Sequence, residues 1–505
     1  MTTTTRAHRD LAAVAKGGSI AAAGAVISAV GGLLLTIVVA RGLGAAGAGL
    51  FFEAVAVFMI AQSLSTLGAD TGLMRALSRA RALGQAGETR RLIAVAMIPV
   101  ALGSLLLAGL LWWLTPWLLD LLANGSSDHG RAEQYVHLMA PFLVVATTAT
   151  VAAQATRAFG SVVGFVAVQN VLIPLGRPLG IGIAVLAGWT GLVVPLIWTL
   201  LFIPALLVAG WTLRRQVRRT DSDEVHPPRP LPQIAREFWA FSAVRGISAA
   251  IDVFLVWCGV LLVAAFLTPA EAGVYATASR FITSGTLVLQ AMRLAIAPQI
   301  SALMSTGQTE RAGRIYRVAT LWIVASSWPL YLALACFSGL LLDLFGPGFG
   351  VGATAMSILA LAMLVNLGTG NVGTVLLMAG RSHWLLLNKS LAVVTMVGLN
   401  LWLVPRYGLE GAAIAWGAAM ALDNLIAVVQ VRWGLGLRGY NATTAWTCAL
   451  AVIIYGGGGL LAKATIGEGY LALTAYLLAG TAAYAAVLWH FRARMELGEI
   501  TRKVG

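Results

Sequence analysis

Seven ionisable side chains fall well inside long apolar stretches, and they are the first candidates for chemistry in this chain. The basic ones are Arg177, Arg245, Arg280, Arg293 and Lys389, and the acidic ones are Asp252 and Asp423. Glu53 and Asp70 lie nearer the ends of their own stretch. A charge at mid-bilayer costs roughly 2.5–3.5 kcal/mol on insertion scales, so each needs a reason. Arg245 comes out about 5 Å from the cytoplasmic end of its helix at a rise of about 1.5 Å per residue. Arg293 sits near the same end of the next one. Both fit snorkelling to the interface, and both fit a basic mouth for an anionic group, which arginine's planar fork suits. Lys389, roughly 9 Å inside its helix, has the same two readings. Asp252 and Arg280 reach similar depths on neighbouring antiparallel helices, the placement of an ion pair. Arg177 stands between Pro174 and Pro178. Missing backbone donors there should kink the helix and leave carbonyls for the guanidinium to satisfy. Asp423 is mid-membrane, where ion coupling is one reading.

Other chemistry is poorly represented. RGLGAAGAG at 41–49 is glycine-rich but joins two apolar helices, which is the wrong context for a nucleotide loop, and no Walker A motif occurs. The six histidines show no ligand spacing. Cys258, Cys336 and Cys448 lie within apolar helices without pairing or metal spacing, and they read as small apolar fillers. No cofactor is expected.

The elements that carry these residues are membrane spans. Hydrophobic residues make up 59% of the chain and charged residues 11%, and mean hydropathy is +0.84, too apolar for a soluble chain of 505 residues. Stretches of about 20 apolar residues recur from end to end. They predict an all-α polytopic membrane protein with fourteen spans, at 19–39, 49–73, 92–114, 135–156, 161–187, 192–213, 242–267, 274–297, 318–339, 353–378, 383–404, 411–431, 443–461 and 470–491. The net charge of +14 would suggest nucleic acid in a soluble protein. Here the arginines gather in alternate loops, so the charge reads as orientation and no nucleic-acid partner is expected. Arg41, Arg131, Arg406 and Lys463 are the exceptions on the opposite side. Both termini are therefore expected in the cytoplasm, with Asp223 and Arg311 inside and Ser127 and Gly348 outside.

The longest polar stretch divides the chain nearly in half. It predicts a cytoplasmic N-terminus at 1–18, a first lobe of six spans at 19–213 and a linker at 214–241. A second six-span lobe follows at 242–431, then a helix pair at 432–491 and a cytoplasmic tail at 492–505. The halves repeat. GAAGAGLFFEA at 44–54 matches TPAEAGVYATA at 268–278, PWLLDLLANG at 116–125 matches GLLLDLFGPG at 339–348, and GWTGLVVP at 188–195 matches GLEGAAIA at 408–415. An even number of spans per copy keeps both copies in one orientation, with a cleft expected at the repeat interface.

ARGLGAAGAGLFFEAVAV at 40–57, the basic turn RALSRARALGQAGETRRLIA at 75–94 and its counterpart APQISALMSTGQTERAGRIYR at 297–317 resemble the MOP superfamily. That superfamily includes Wzx-type polysaccharide flippases, lipid II flippases and MATE drug exporters. The resemblance covers about residues 17–435. Residues 19–39 lack both the acidic residue usual in MATE exporters and the arginines usual in lipid II flippases. What remains resembles the polysaccharide branch. That branch implies a flippase for polyprenyl-pyrophosphate-linked oligosaccharide in the bacterial inner membrane, working by alternating access beside a polymerase and glycosyltransferases. Arg245, Arg293, Lys389, Arg280 and Arg177 would then face the anionic head, and Asp252 and Asp423 would be the candidates for ion coupling. A cation-coupled drug exporter is the alternative on the same scaffold. An enzyme is not expected, because the longest external loop, Thr115 to Gln134, is only about 20 residues.

Overall fold

The computed structural model describes residues 3–122, 129–220 and 229–490. Ser127, Asp223 and the tail from 492 onward lie outside the described residues. The described chain is helical throughout, with no strand among the described residues. Twelve segments among them are long and apolar enough to cross a membrane. Two of these, Gly18–Ala82 and Ser382–Gly434, each hold two spans joined at a glycine, which makes fourteen. The joints are Gly44 (φ 69°, ψ −179°) and Gly408 (φ 55°, ψ −133°), conformations a side chain would resist. Gly188, which the repeat aligns with Gly408, also has positive φ at 76° and turns the fifth span into the sixth.

Several spans are broken inside the membrane, which hydropathy does not reveal. The second span ends its first piece at Thr66, turns through Leu67 (φ 50°) and Gly68 (φ 70°), and resumes as Ala69–Ala82. The fifth widens into a π-turn at Val166–Leu172. Pro174 explains it, because an α-helix would drive the proline ring into the carbonyl four residues back. The eighth span runs as Pro269–Ser284 and Leu287–Ser305, and the tenth as Ala353–Gly368 and Val372–Met378 around Gly370 (φ 64°).

Two compact units divide the chain, Met1–Gly273 and Val274–Gly505. The first extends beyond the six spans expected of the first lobe and includes the seventh, Leu231–Phe266. That helix packs on the second and third spans. Its Gly246 lies so close to the break in the second span that an added Cβ would come within 3.0 Å of Leu67 and Gly68 backbone. The polar stretch read as a linker is also shorter than expected. The sixth span continues as helix through Thr220, because Leu213 and Val217 are buried and Arg218 and Arg219 complement its C-terminal end.

Where the chain re-enters the seventh span, Arg229 closes an ionic clasp. Its Nε and Nη2 donate to the Glu88 carboxylate at 2.8 and 2.9 Å, and its Nη1 donates to Glu237 at 3.1 and 3.0 Å. Arg91 Nη1 donates to the Arg229 carbonyl at 2.8 Å. The Glu88 side chain is 2% exposed. The hydrogen-bonded guanidinium outweighs that burial and holds its carboxyl below the ordinary 4.5.

In the second unit, Ile296, Ile300, Tyr316, Val375 and Val431 belong to one apolar cluster. The break in the tenth span is capped by side chains, with Tyr316 donating to the Thr369 carbonyl at 2.8 Å and Tyr440 donating to Gly368. These phenols replace the water that a bilayer cannot supply. Cys336, read as an apolar filler, has its Sγ 3.8 Å from the carbonyls of Tyr455 and Gly456. Those carbonyls belong to a second π-turn, Val452–Gly457, and the thiol is a weak donor to them.

Candidate functional site

Within the first unit the broken helices surround a mostly apolar cavity of about 290 Å³ that carries a few polar groups. The second span contributes Met59, Gln62, Ser63, Thr66, Gly68 and Asp70. Thr150 comes from the fourth span, Gln169, Ile173 and Arg177 from the fifth, and Phe202 from the sixth. The seventh span closes it with Ala249 and Val253. Local chemistry explains each placement. The turn at Leu67–Gly68 restarts the helix at Ala69, so Asp70 sits in a first turn where free N–H groups favour its negative charge. The π-turn carries Gln169, and the following helix carries Arg177.

Arg177 does not satisfy its own helix, as its flanking prolines led one to expect. Its Nε donates to the carbonyl of Trp198 in the sixth span at 3.2 Å. The guanidinium carbon lies 3.6 Å from the centroid of the Trp198 ring and 4.8 Å from that of Phe202. Cation–π stacking in a desolvated site contributes about 2 kcal/mol, enough to hold the plane in place. Nη2 is buried and has no hydrogen-bond partner, and the same is true of Gln169 Nε2. Gln62 donates to Thr150 Oγ1 at 3.1 Å, and Thr150 and Thr66 return their hydroxyls to their own helices. The Asp70 carboxylate has no hydrogen bond or ion pair among the described residues. The cavity therefore offers two idle donors, one idle carboxylate and an apolar wall.

The other expected residues fall elsewhere. In the first unit, Arg245 is exposed and Asp252 half-buried on the seventh span, and neither lines the cavity. In the second unit, Arg293 is exposed, whereas Arg280, Lys389 and Asp423 are half-buried. Arg280 Nη1 donates to the Ala276 carbonyl one turn back at 3.3 Å. The uncharged amides escaped the sequence reading. Gln62 and Gln169 line the first unit's cavity. In the second unit Asn388 and Gln430 exchange hydrogen bonds at 2.8 and 2.9 Å, and Asn424 links Asn366 and Thr369. A search for amides inside apolar spans would have found them, since each must find a partner in hydrocarbon.

These spans, several of them broken, share their fold with solved transporters of the MOP superfamily. A lipid II flippase, MurJ, in its inward closed conformation superposes with a TM-score of 0.72 at 11% identity, over 93% of this chain and 98% of MurJ. An inward-facing MATE-family multidrug resistance transporter of that superfamily gives a TM-score of 0.66 at 17% identity, over 81% of this chain and 94% of the transporter. The chain belongs to the polysaccharide biosynthesis protein family, whose model matches residues 14–304. Two relatives come from Haloferax volcanii. The "probable low-salt glycan biosynthesis flippase Agl15" is 24% identical over 237 residues, 45% of this chain and 48% of the relative. The "probable flippase AglR" is 25% identical over 255 residues, 48% and 52% of the two chains. This chain thus spans about half the length of the curated relatives it matches. Each of these four proteins is named a flippase or a transporter rather than an enzyme.

Proposed function

We propose that this protein is a flippase of glycan biosynthesis that carries a lipid-linked oligosaccharide across the plasma membrane by alternating access. The family match over more than half the chain carries this reading, and the names of the two Haloferax relatives point the same way. The intramembrane charge supports it too. Five basic residues stand against Asp252 and Asp423 well inside the spans, an excess that suits a diphosphate head and that a cationic drug would not need. In this reading Arg245, Arg293 and Lys389 line the route of the head group while the polyprenyl tail stays in lipid. Arg280 adds cationic surface, Arg177 meets the cargo from the first unit's cavity, and Asp252 and Asp423 are the acidic groups available for ion coupling. Both termini lie in the cytoplasm, where glycosyltransferases assemble the cargo, and a polymerase receives it outside.

The test is export. Removing the gene should leave lipid-linked glycan on the cytoplasmic leaflet and deplete surface polysaccharide. Alanine at Arg245, Arg293 and Lys389 should lower export several-fold at normal protein levels. Normal glycan export by the triple variant would show that these residues only snorkel. Loss of drug resistance with intact export in the deletion strain would instead assign a multidrug exporter.

A further inference from the structure

The structure assigns the cavity of the first unit to a sugar ring of the cargo rather than to its diphosphate, an assignment that rests on the flippase reading. Charge is the first reason. The cavity is lined by one cation, Arg177, and one anion, Asp70, so its own charge sums to zero. A diphosphate brings about two or more negative charges, and Arg177 alone would have to balance them beside an unpaired carboxylate. Arg177 is also poorly presented for that task. Its Nε is taken by the Trp198 carbonyl and its plane lies on the Trp198 ring, so Nη2 is the buried nitrogen left without a partner. The side-on two-point grip through Nε and a neighbouring Nη is not on offer there.

Hydrogen-bonding capacity is the second reason. Phosphate oxygens accept and leave Asp70 with nothing, whereas sugar hydroxyls both donate and accept. Gln169 Nε2 and Arg177 Nη2 would each give a proton to a ring oxygen or hydroxyl, and Asp70 would take one from a neighbouring hydroxyl. Met59, Ile173, Phe202 and Val253 supply an apolar wall for the C–H face of a ring. Size is the third reason. Pockets for drug-sized ligands begin at about 300 Å³, and about 290 Å³ admits one monosaccharide, not an oligosaccharide. The cavity therefore reads one residue of the glycan, and a cargo lacking matching hydroxyls leaves two buried donors and the Asp70 carboxylate unpaired. That mismatch is the stronger source of discrimination.

The experiment uses full-length protein in nanodiscs and two probes. One is lipid-linked oligosaccharide extracted from the source cells, and the other is the same lipid stripped of glycan to the polyprenyl diphosphate. Wild-type protein is expected to bind the intact lipid at least tenfold more tightly than the stripped one. Gln169→Leu and Asp70→Ala should each remove most of that preference while leaving affinity for the stripped lipid unchanged. Gln169→Leu replaces an amide that holds nothing through its Nε2, so it keeps the test readable if Asp70→Ala folds poorly. Equal binding of both probes by the wild type overturns the proposal, and so do variants that weaken the stripped lipid as much as the intact one. The flippase reading stands or falls separately, on whether wild-type protein in vesicles moves the intact lipid between leaflets.

Discussion

Glu88 and Arg229 make a residue-level contact whose pH dependence can be worked out. The partner lowers the folded pKa of Glu88 below its ordinary 4.5. Its contribution is therefore complete above that ordinary value and is lost as pH falls through the folded value. Glu88→Gln should cost roughly 1–3 kcal/mol at neutral pH and flatten the acid limb of a thermal-melt series. An unchanged acid limb would show that the clasp adds nothing. Asp252 and Arg280 invite a different measurement. As an ion pair, either single alanine should lose folded protein, by about 3–5 kcal/mol, and the double variant should recover much of it. Additive losses would refute the pair, and full export by a well-folded double variant would refute a cargo role for Arg280. At this scale the sequence is a partial guide. Arg177 was conspicuous as a charge between prolines, but its stacking on Trp198 depends on a neighbouring span that no local pattern specifies. Gln62 and Gln169 were passed over because a neutral amide does not disturb a hydropathy profile.

Elements behave less simply than their apolar lengths imply. Fourteen spans were readable because a bilayer demands about 20 apolar residues each time. The breaks within them were hidden, since Leu67 and Gly68 look like any other helical pair. Packing explains that break, because Gly68 and Gly246 bring two backbones into contact. Gly246→Ala should therefore destabilise the protein by about 1–3 kcal/mol, because the backbone atoms of Leu67 and Gly68 must move to admit the methyl group. Gly32 is a useful contrast in the first span, since nothing lies within 4 Å of an added Cβ there. Gly32→Ala should be neutral or stabilising by up to about 1 kcal/mol through helix propensity. Melting temperatures of the purified variants that move in the same direction would contradict this account of the break.

For the whole molecule, arginine asymmetry makes a topology that can be probed directly. In a background where Cys258, Cys336 and Cys448 are replaced, Glu468→Cys should react with an impermeant thiol reagent in intact cells. Arg311→Cys should react only after the cells are opened. Glu468 is a suitable external site because it is exposed, its partner being Lys463 at 2.7 Å. Labelling of position 311 in intact cells would invert the model. Composition reveals the all-α membrane character most fully, because a bilayer constrains a whole chain more tightly than it constrains any one contact. The grouping of the seventh span with the first unit was not legible, since it depends on the Arg229 clasp and the glycine contact rather than on hydropathy.

Gly49 and Gly273 occupy matching places in the two copies of the repeat, and they touch. A Cβ on Gly49 would collide with Pro269 and Gly273, and a Cβ on Gly273 would collide with Ala45 and Gly49. Each glycine meets the segment that contains the other. In a homodimer, a residue that contacts its own copy across a two-fold axis has this reciprocity. If the two copies descend from one duplicated gene, Gly49 and Gly273 were once one codon, and a single mutation there struck both sides of the contact at once. In a single chain the two positions can vary independently, yet both are glycine.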